Sequence, residues 1–171
     1  MLNNHRSKLP RFNPAVLPME YMPSTPHVAD AKHAKHYLIP GKVFASAEPV
    51  AITTILGSGV TLCLCDPQKG IGGANHFTMP VGADASNQTL LQQVLALGAN
   101  LHSLEAKVFG GSQPQVTFGN SSEWLGNRNV EAALNFLGTR GIRLAEKEVG
   151  GTRGRKLIFQ TDDGCAWAQQ L

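Results

Sequence analysis

From Tyr37 onward the apolar residues fall into short runs separated by Gly, Pro and Asp, the pattern of closely spaced strands. The runs predict strands near Tyr37 to Ala45, Val50 to Leu56, Val60 to Cys65 and Gly72 to Met79. Asp66-Pro67-Gln68-Lys69-Gly70 joins the last two as a turn, because Pro presets φ and Gly accepts positive φ, so these two strands form a hairpin. The period then changes. Leu90, Leu91, Val94, Leu95 and Leu97 follow helical spacing, with Asp84 or Ser86 as N-cap and Gly98 as stop. Leu104 to Phe109 reads as another strand. Asn127 caps a second helix whose Val130, Ala133, Leu134 and Leu137 share one stripe, ended by Gly138 and Gly141. Ile142 to Val149 returns as a strand, and Leu157 to Thr161 pairs with Cys165 to Ala168 across an Asp162-Asp163-Gly164 turn. Two helices among roughly eight strands make an α/β protein with much antiparallel pairing.

Composition refines this picture. A length of 171 residues suits one domain, and 42% hydrophobic with 16% charged residues excludes both a disordered chain and a membrane span. Residues 1 to 36 hold five of the ten prolines and four of the six histidines without an apolar period, so they read as a flexible extension, with residues 37 to 171 as the single domain. In that extension His5, His27, His33 and His36 read as solvated side chains and not as metal ligands. The extension carries five Lys/Arg against Glu20 and Asp30, whereas the body carries ten of each sign. The net charge of +3 therefore comes from the leading segment, and a nucleic-acid footprint is poorly supported. Cys63, Cys65 and Cys165 are an odd set with neither zinc-site spacing nor a secretory leader, which predicts buried strand thiols at Cys63 and Cys65, no metal and a cytoplasmic location.

Two glycine-rich segments invite phosphate readings and fail them. Gly57-Ser58-Gly59 has Leu62 where a dinucleotide fingerprint needs its third glycine, and it runs into a strand. Gly150-Gly151-Thr152-Arg153-Gly154-Arg155-Lys156 lacks the phosphate-loop order and precedes a hairpin. The informative block is Ala51 to Pro80, where two glycine-rich points bracket a hairpin that returns His76 to the neighbourhood of Gly59, 17 residues earlier. Thr53 and Thr54 precede the first turn, and strand alternation lets only one of them face the hairpin interior. Asn75 faces opposite to His76 by the same alternation and reads as structural.

Thr53-x-x-Leu56-Gly57-Ser58-x-Val60, Cys63-Leu64-x-Asp66-Pro67 and Ile71-Gly72-Gly73-x-Asn75-His76-Phe77-x-x-Pro80 together resemble the chemoreceptor glutamine deamidases known as CheD. The likeness continues in order through Leu104 to Gly111, Gly126-x-Arg128-Asn129-Val130 and Gly150-Gly151-x-x-Gly154-Arg155. It implies a three-layer α/β/β sandwich, largely antiparallel, related to the deamidating toxins of the cytotoxic necrotizing factor kind. It also implies a cysteine–histidine–threonine site, without cofactor, that converts glutamines of methyl-accepting chemotaxis receptors to glutamates. The implied partners are the cytoplasmic helices of those receptors and a CheC-type phosphatase. By matching positions, His76 is the acid/base, Thr53 the orienting hydroxyl and Gly57-Ser58 the oxyanion support, while Gly59 stands where the family has its nucleophilic cysteine. Cys63 lies roughly 13 Å further along a strand, too far to substitute. The resemblance therefore leaves two readings open: a deamidase, or a disabled binding module of the same shape.

Overall fold

The computed structural model describes residues 32–113 and 124–171, so the readings made for His5, His27 and the rest of the first 31 residues lie outside it. The elements are β1 (Ala34–Tyr37), β2 (Val43–Ser46), β3 (Val50–Leu56), β4 (Val60–Asp66), β5 (Ile71–Asn75), α1 (Ala83–Ala96), β6 (Glu105–Gly110), α2 (Leu125–Arg140), β7 (Arg143–Val149), β8 (Arg155–Gln160) and β9 (Ala166–Gln170). They form a four-stranded sheet in the order β1-β3-β8-β9 and a five-stranded sheet in the order β2-β5-β4-β6-β7. Each sheet carries one parallel pair, β1 with β3 and β6 with β7, and the remaining pairs are antiparallel.

The strand β4 explains the layering. All seven of its residues are buried, because its two faces meet two different layers. Val60, Leu62 and Leu64 join the core under α1 and α2 with Leu90, Val94 and Phe136. Cys63 and Cys65 point the other way, into a second core with Ile52, Leu56 and Phe159 from the four-stranded sheet. Helices, five strands and four strands thus stack as the α/β/β sandwich that the resemblance implies. The expected hairpin is present as β4 and β5, with Cys63 opposite Ala74 and Cys65 opposite Gly72, and β8 pairs with β9 across the expected turn. Where β5 crosses the four-stranded layer the spacing is very tight. A β-carbon added at Gly72 would stand 2.4 Å from the carbonyl oxygen of Thr161.

Several sequence expectations need correction. The domain begins before Tyr37: Ala34 to Tyr37 pair in parallel with Val50 to Thr53, so the last residues of the supposed extension are an edge strand. His33 is buried and its Nε2 lies 2.7 Å from Asp162 Oδ1, while Lys32 Nζ is 3.1 Å from the other carboxylate oxygen. His36 stacks on Phe44, with ring centroids 3.8 Å apart. Neither histidine is a solvated tail residue. The N-cap of α1 is Gly82, in the left-handed region, two residues before Asp84 and four before Ser86. Asp84 sits in its first turn, where a carboxylate suits the helix dipole. Asn127 lies inside α2, which begins after Trp124, and its Oδ1 accepts from Gln113 Nε2 at 2.6 Å. The stop at Gly141 is as expected, a left-handed C-cap with φ 64°.

Candidate active site

The chain passes from one sheet to the other at Gly57-Ser58-Gly59, directly between β3 and β4, and the candidate site lies at this crossing. Along β3 the even positions Ile52 and Leu56 face the inter-sheet core, and Thr54 between them is buried as well. Thr53 and Ile55 face outward. The ladder of β5 ends at Asn75, and His76 follows it as a bridge residue between two anchored backbones. Its N–H donates to Lys42 O at 3.0 Å and its carbonyl accepts from Gly41 N–H at 2.7 Å. Phe77 then exchanges two hydrogen bonds with Val60, at 2.9 and 3.0 Å, which fixes His76 beside the start of β4.

His76 is 2% exposed and its Nδ1 lies 3.0 Å from Thr54 Oγ1. The other ring nitrogen points at position 59: a β-carbon built on Gly59 would be 2.8 Å from Nε2 and 3.1 Å from the carbonyl oxygen of Phe77. Gly59 has an ordinary negative-φ or extended backbone, so glycine is not required there by conformation. The imidazole instead occupies part of the volume that a side chain would take. Burial holds the His76 pKa below its ordinary value, which keeps the ring neutral near neutral pH. With the proton on Nδ1 and donated to Thr54, Nε2 is a lone-pair base aimed at position 59.

The carbonyls of the turn are all engaged. Gly57 O accepts from Ser112 N–H at 2.8 Å and Gly59 O from Gly111 N–H at 2.9 Å. Ser58 O accepts from Asn129 Nδ2 at 2.9 Å, and the same amide nitrogen donates to Thr78 O at 3.0 Å. A trans peptide sets its N–H opposite its C=O, so the amides of Ser58 and Gly59 point away from these partners.

The thiols are elsewhere. Cys63 and Cys65 are buried between the sheets, and burial pushes both thiols up, Cys65 to about 12, so neither forms a thiolate near neutral pH. Cys165 is exposed after the β8–β9 turn, and its partial desolvation and the thiol's hydrogen bond to the Asp163 carboxylate raise its pKa too. Among the described residues no cluster of His, Cys, Asp and Glu could hold a metal ion.

Of the residues nominated from sequence, the structure brings together His76, Gly59, Gly57 and Ser58. Thr53 is the exception. It faces outward into a groove lined by Lys35, His36, Tyr37, Ile55 and Lys156, and its neighbour Thr54 makes the contact with His76. The alternation rule allowed only one threonine inside, and position matching selected the other one. Asn129 stands in the family motif without a role, although a polar residue in the apolar stripe of α2 with Gly126, Ala133, Phe136 and Leu137 is a readable signal.

Residues 81–170 match the family described as CheD chemotactic sensory transduction. The chain is 42% identical over 147 residues to a probable chemoreceptor glutamine deamidase CheD 1 of Anaeromyxobacter dehalogenans, covering 81% of this chain and 85% of that one. It is 39% identical over 140 residues to the probable chemoreceptor glutamine deamidase CheD of Trichlorobacter lovleyi, with 76% and 86% covered. The corresponding protein of Agrobacterium fabrum is 37% identical over 149 residues, with 80% of each chain covered.

Proposed function

This chain belongs to the CheD family, and from that premise we propose that it is a chemoreceptor glutamine deamidase whose site is complete except for the nucleophile at position 59. The reaction converts a glutamine carboxamide and water to a glutamate and ammonia. A thiolate at position 59 adds to the amide carbon, and the oxygen takes up charge against the Ser58 and Gly59 amides. His76 accepts the thiol proton and returns it to the departing nitrogen as the C–N bond breaks. Water, deprotonated by the same imidazole, then cleaves the thioester and frees the carboxylate. Thr54 holds Nδ1 and so keeps the lone pair on Nε2. The observation that carries this reading is the placement of Nε2 at 2.8 Å from the β-carbon position of residue 59, with Thr54 on the opposite ring nitrogen.

Gly59 supplies no thiol, and the buried Cys63 and Cys65 do not replace it. The chain as it stands therefore recognises carboxamides and turns them over only at a trace rate. Its place is with the cytoplasmic helices of methyl-accepting receptors, in keeping with the absence, among the described residues, of any helix long and apolar enough to cross a membrane. A second reading follows from the same glycine: occupancy without turnover, on receptors or on a CheC-type phosphatase. The imidazole that fills the position-59 volume favours it.

Incubation with receptor cytoplasmic fragments separates the two, read as the one-dalton mass gain of deamidation. The unaltered chain gives at most trace gain, and Gly59→Cys raises it by orders of magnitude. The new β-carbon requires the His76 ring to shift and crowds the Phe77 carbonyl, with 2.8 Å to Nε2 and 3.1 Å to that oxygen before any adjustment. A folded Gly59→Cys protein that binds receptor fragments without deamidating them establishes the second reading instead.

A further inference from the structure

We propose that Asn129 is the positioning residue of this site, a clamp that sets the spacing between the position-59 turn and the His76 segment; the inference deepens the deamidase reading and rests on it. One nitrogen, Asn129 Nδ2, donates to the carbonyl of Ser58 at 2.9 Å and to the carbonyl of Thr78 at 3.0 Å. Ser58 is the residue before the nucleophile position, and Thr78 is two residues after His76. The two backbones that must face each other are therefore tied to a single amide group, which uses both its protons.

The clamp is buried. Asn129 is 0% exposed, and it is the polar member of a stripe otherwise made of Gly126, Ala133, Phe136 and Leu137. Its Oδ1 is buried with no hydrogen-bond partner among the described residues. An apolar residue of similar size would spare that acceptor but would leave the carbonyls of Ser58 and Thr78 without this donor. What the asparagine uniquely supplies here is the pair of N–H bonds to the two site loops.

The base of α2 is seated to make that geometry rigid. A β-carbon at Gly126 would stand 2.4 Å from Gly111 O, so the first turn of the helix lies directly on the loop whose Gly111 and Ser112 amides hold Gly59 and Gly57. The three turn carbonyls are thus held by α2 and by the loop packed against its first turn. The amides of Ser58 and Gly59 are oriented by that grip, and Asn129 adds the link to His76 that the Gly111 loop does not make.

The test uses the thiol introduced at position 59 as a local probe. In Gly59→Cys the pH midpoint of alkylation of that thiol reports how close the imidazole lies, independently of any receptor. Asn129→Ala and the isosteric Asn129→Asp, each combined with Gly59→Cys, are expected to move this midpoint upward by about half a unit or more. They are also expected to lower kcat for receptor fragments by roughly 10²-fold, the scale of losing oxyanion alignment, with KM changed less than about threefold. A second measurement needs no variant: in the unaltered chain both Asn129 carboxamide protons should show slow exchange and through-hydrogen-bond couplings to the carbonyl carbons of Ser58 and Thr78. Folded Asn129 variants with the midpoint and kcat of the Gly59→Cys parent overturn the proposal, as does the absence of those couplings. If Gly59→Cys itself fails to deamidate while the Asn129 variants still shift its alkylation midpoint, the deamidase reading falls and the clamp stands.

Discussion

At the scale of single residues, Thr53 and Thr54 differ by which face of β3 they occupy, and that parity decides which one can serve an imidazole. The ring of His76 reports the difference directly through its ¹⁵N shifts, which distinguish the two neutral tautomers. Thr54→Val, which removes the hydroxyl at 3.0 Å from Nδ1 while keeping shape, should redistribute the tautomers. Thr53→Val, on the outward face, should leave the spectrum unchanged. A ring spectrum that responds to Thr53→Val and not to Thr54→Val would return the orienting role to Thr53. The sequence could not settle this pair. Both residues are β-branched strand formers, and parity along a strand is relative until one contact fixes it. His76 was legible for the opposite reason, being the histidine beside a glycine turn in the block that the hairpin folds back on itself. Gly59 was legible too, since resemblance assigns its position and the ring nitrogen of His76 meets that position.

At the scale of elements, the strands bounded by turn residues were plain in the sequence and the edges were not. The hairpin β4–β5 is set by Asp66 to Gly70 and by apolar runs buried on both faces, features that need no tertiary knowledge. The strand β1 was missed because Ala-Lys-His-Tyr is neither apolar nor alternating, and its stability is drawn from pairing with β3 and from the residues just before it. His33 is the strongest of these attachments. Its side chain is 5% exposed and bound to Asp162 in the β8–β9 turn. The Asp162 carboxyl would be raised by burial, and its hydrogen bonds to His33 and Lys32 outweigh that and hold it below its ordinary value. His33→Ala leaves a partly buried carboxylate short of a partner, a loss of about 1–3 kcal/mol. Thermal unfolding should fall by at least about 3 °C in a chain of this length, and the difference should shrink as pH drops through the carboxylate range, because protonated Asp162 no longer gains from the contact. Equal melting of the two proteins at neutral pH would show that β1 is fastened by its ladder alone.

At the scale of the whole molecule, the sandwich depends on glycines that let layers approach, and one of them makes a matched test with a glycine that does not. Gly72→Ala places a methyl 2.4 Å from a backbone oxygen of Thr161 that cannot turn aside, so the two sheets must separate locally. The expected loss is about 2 kcal/mol or more by chemical denaturation. Gly138→Ala, inside α2 with open space around the added carbon, should instead stabilise by about 0.5–1 kcal/mol through backbone entropy. A neutral Gly72→Ala would mean that the layers are more yielding than their spacing indicates. The layer order itself was legible only through resemblance. Periodicity announces strands and helices, while the choice of which strands share a sheet rests on long-range pairing that local patterns do not encode.

The crossing of the chain between sheets at Gly57 to Gly59 makes the site a gauge of alignment. Thr54 belongs to the four-stranded sheet, whereas His76 is anchored to the five-stranded one. The bond between them closes only while the two sheets keep their mutual slide, a quantity held by Leu56, Phe109 and Phe159 in the core that separates them. A trimmed side chain in that core would let the layers drift while every strand stayed paired, and the site would go out of tune in a protein whose far-ultraviolet spectrum still reads as native.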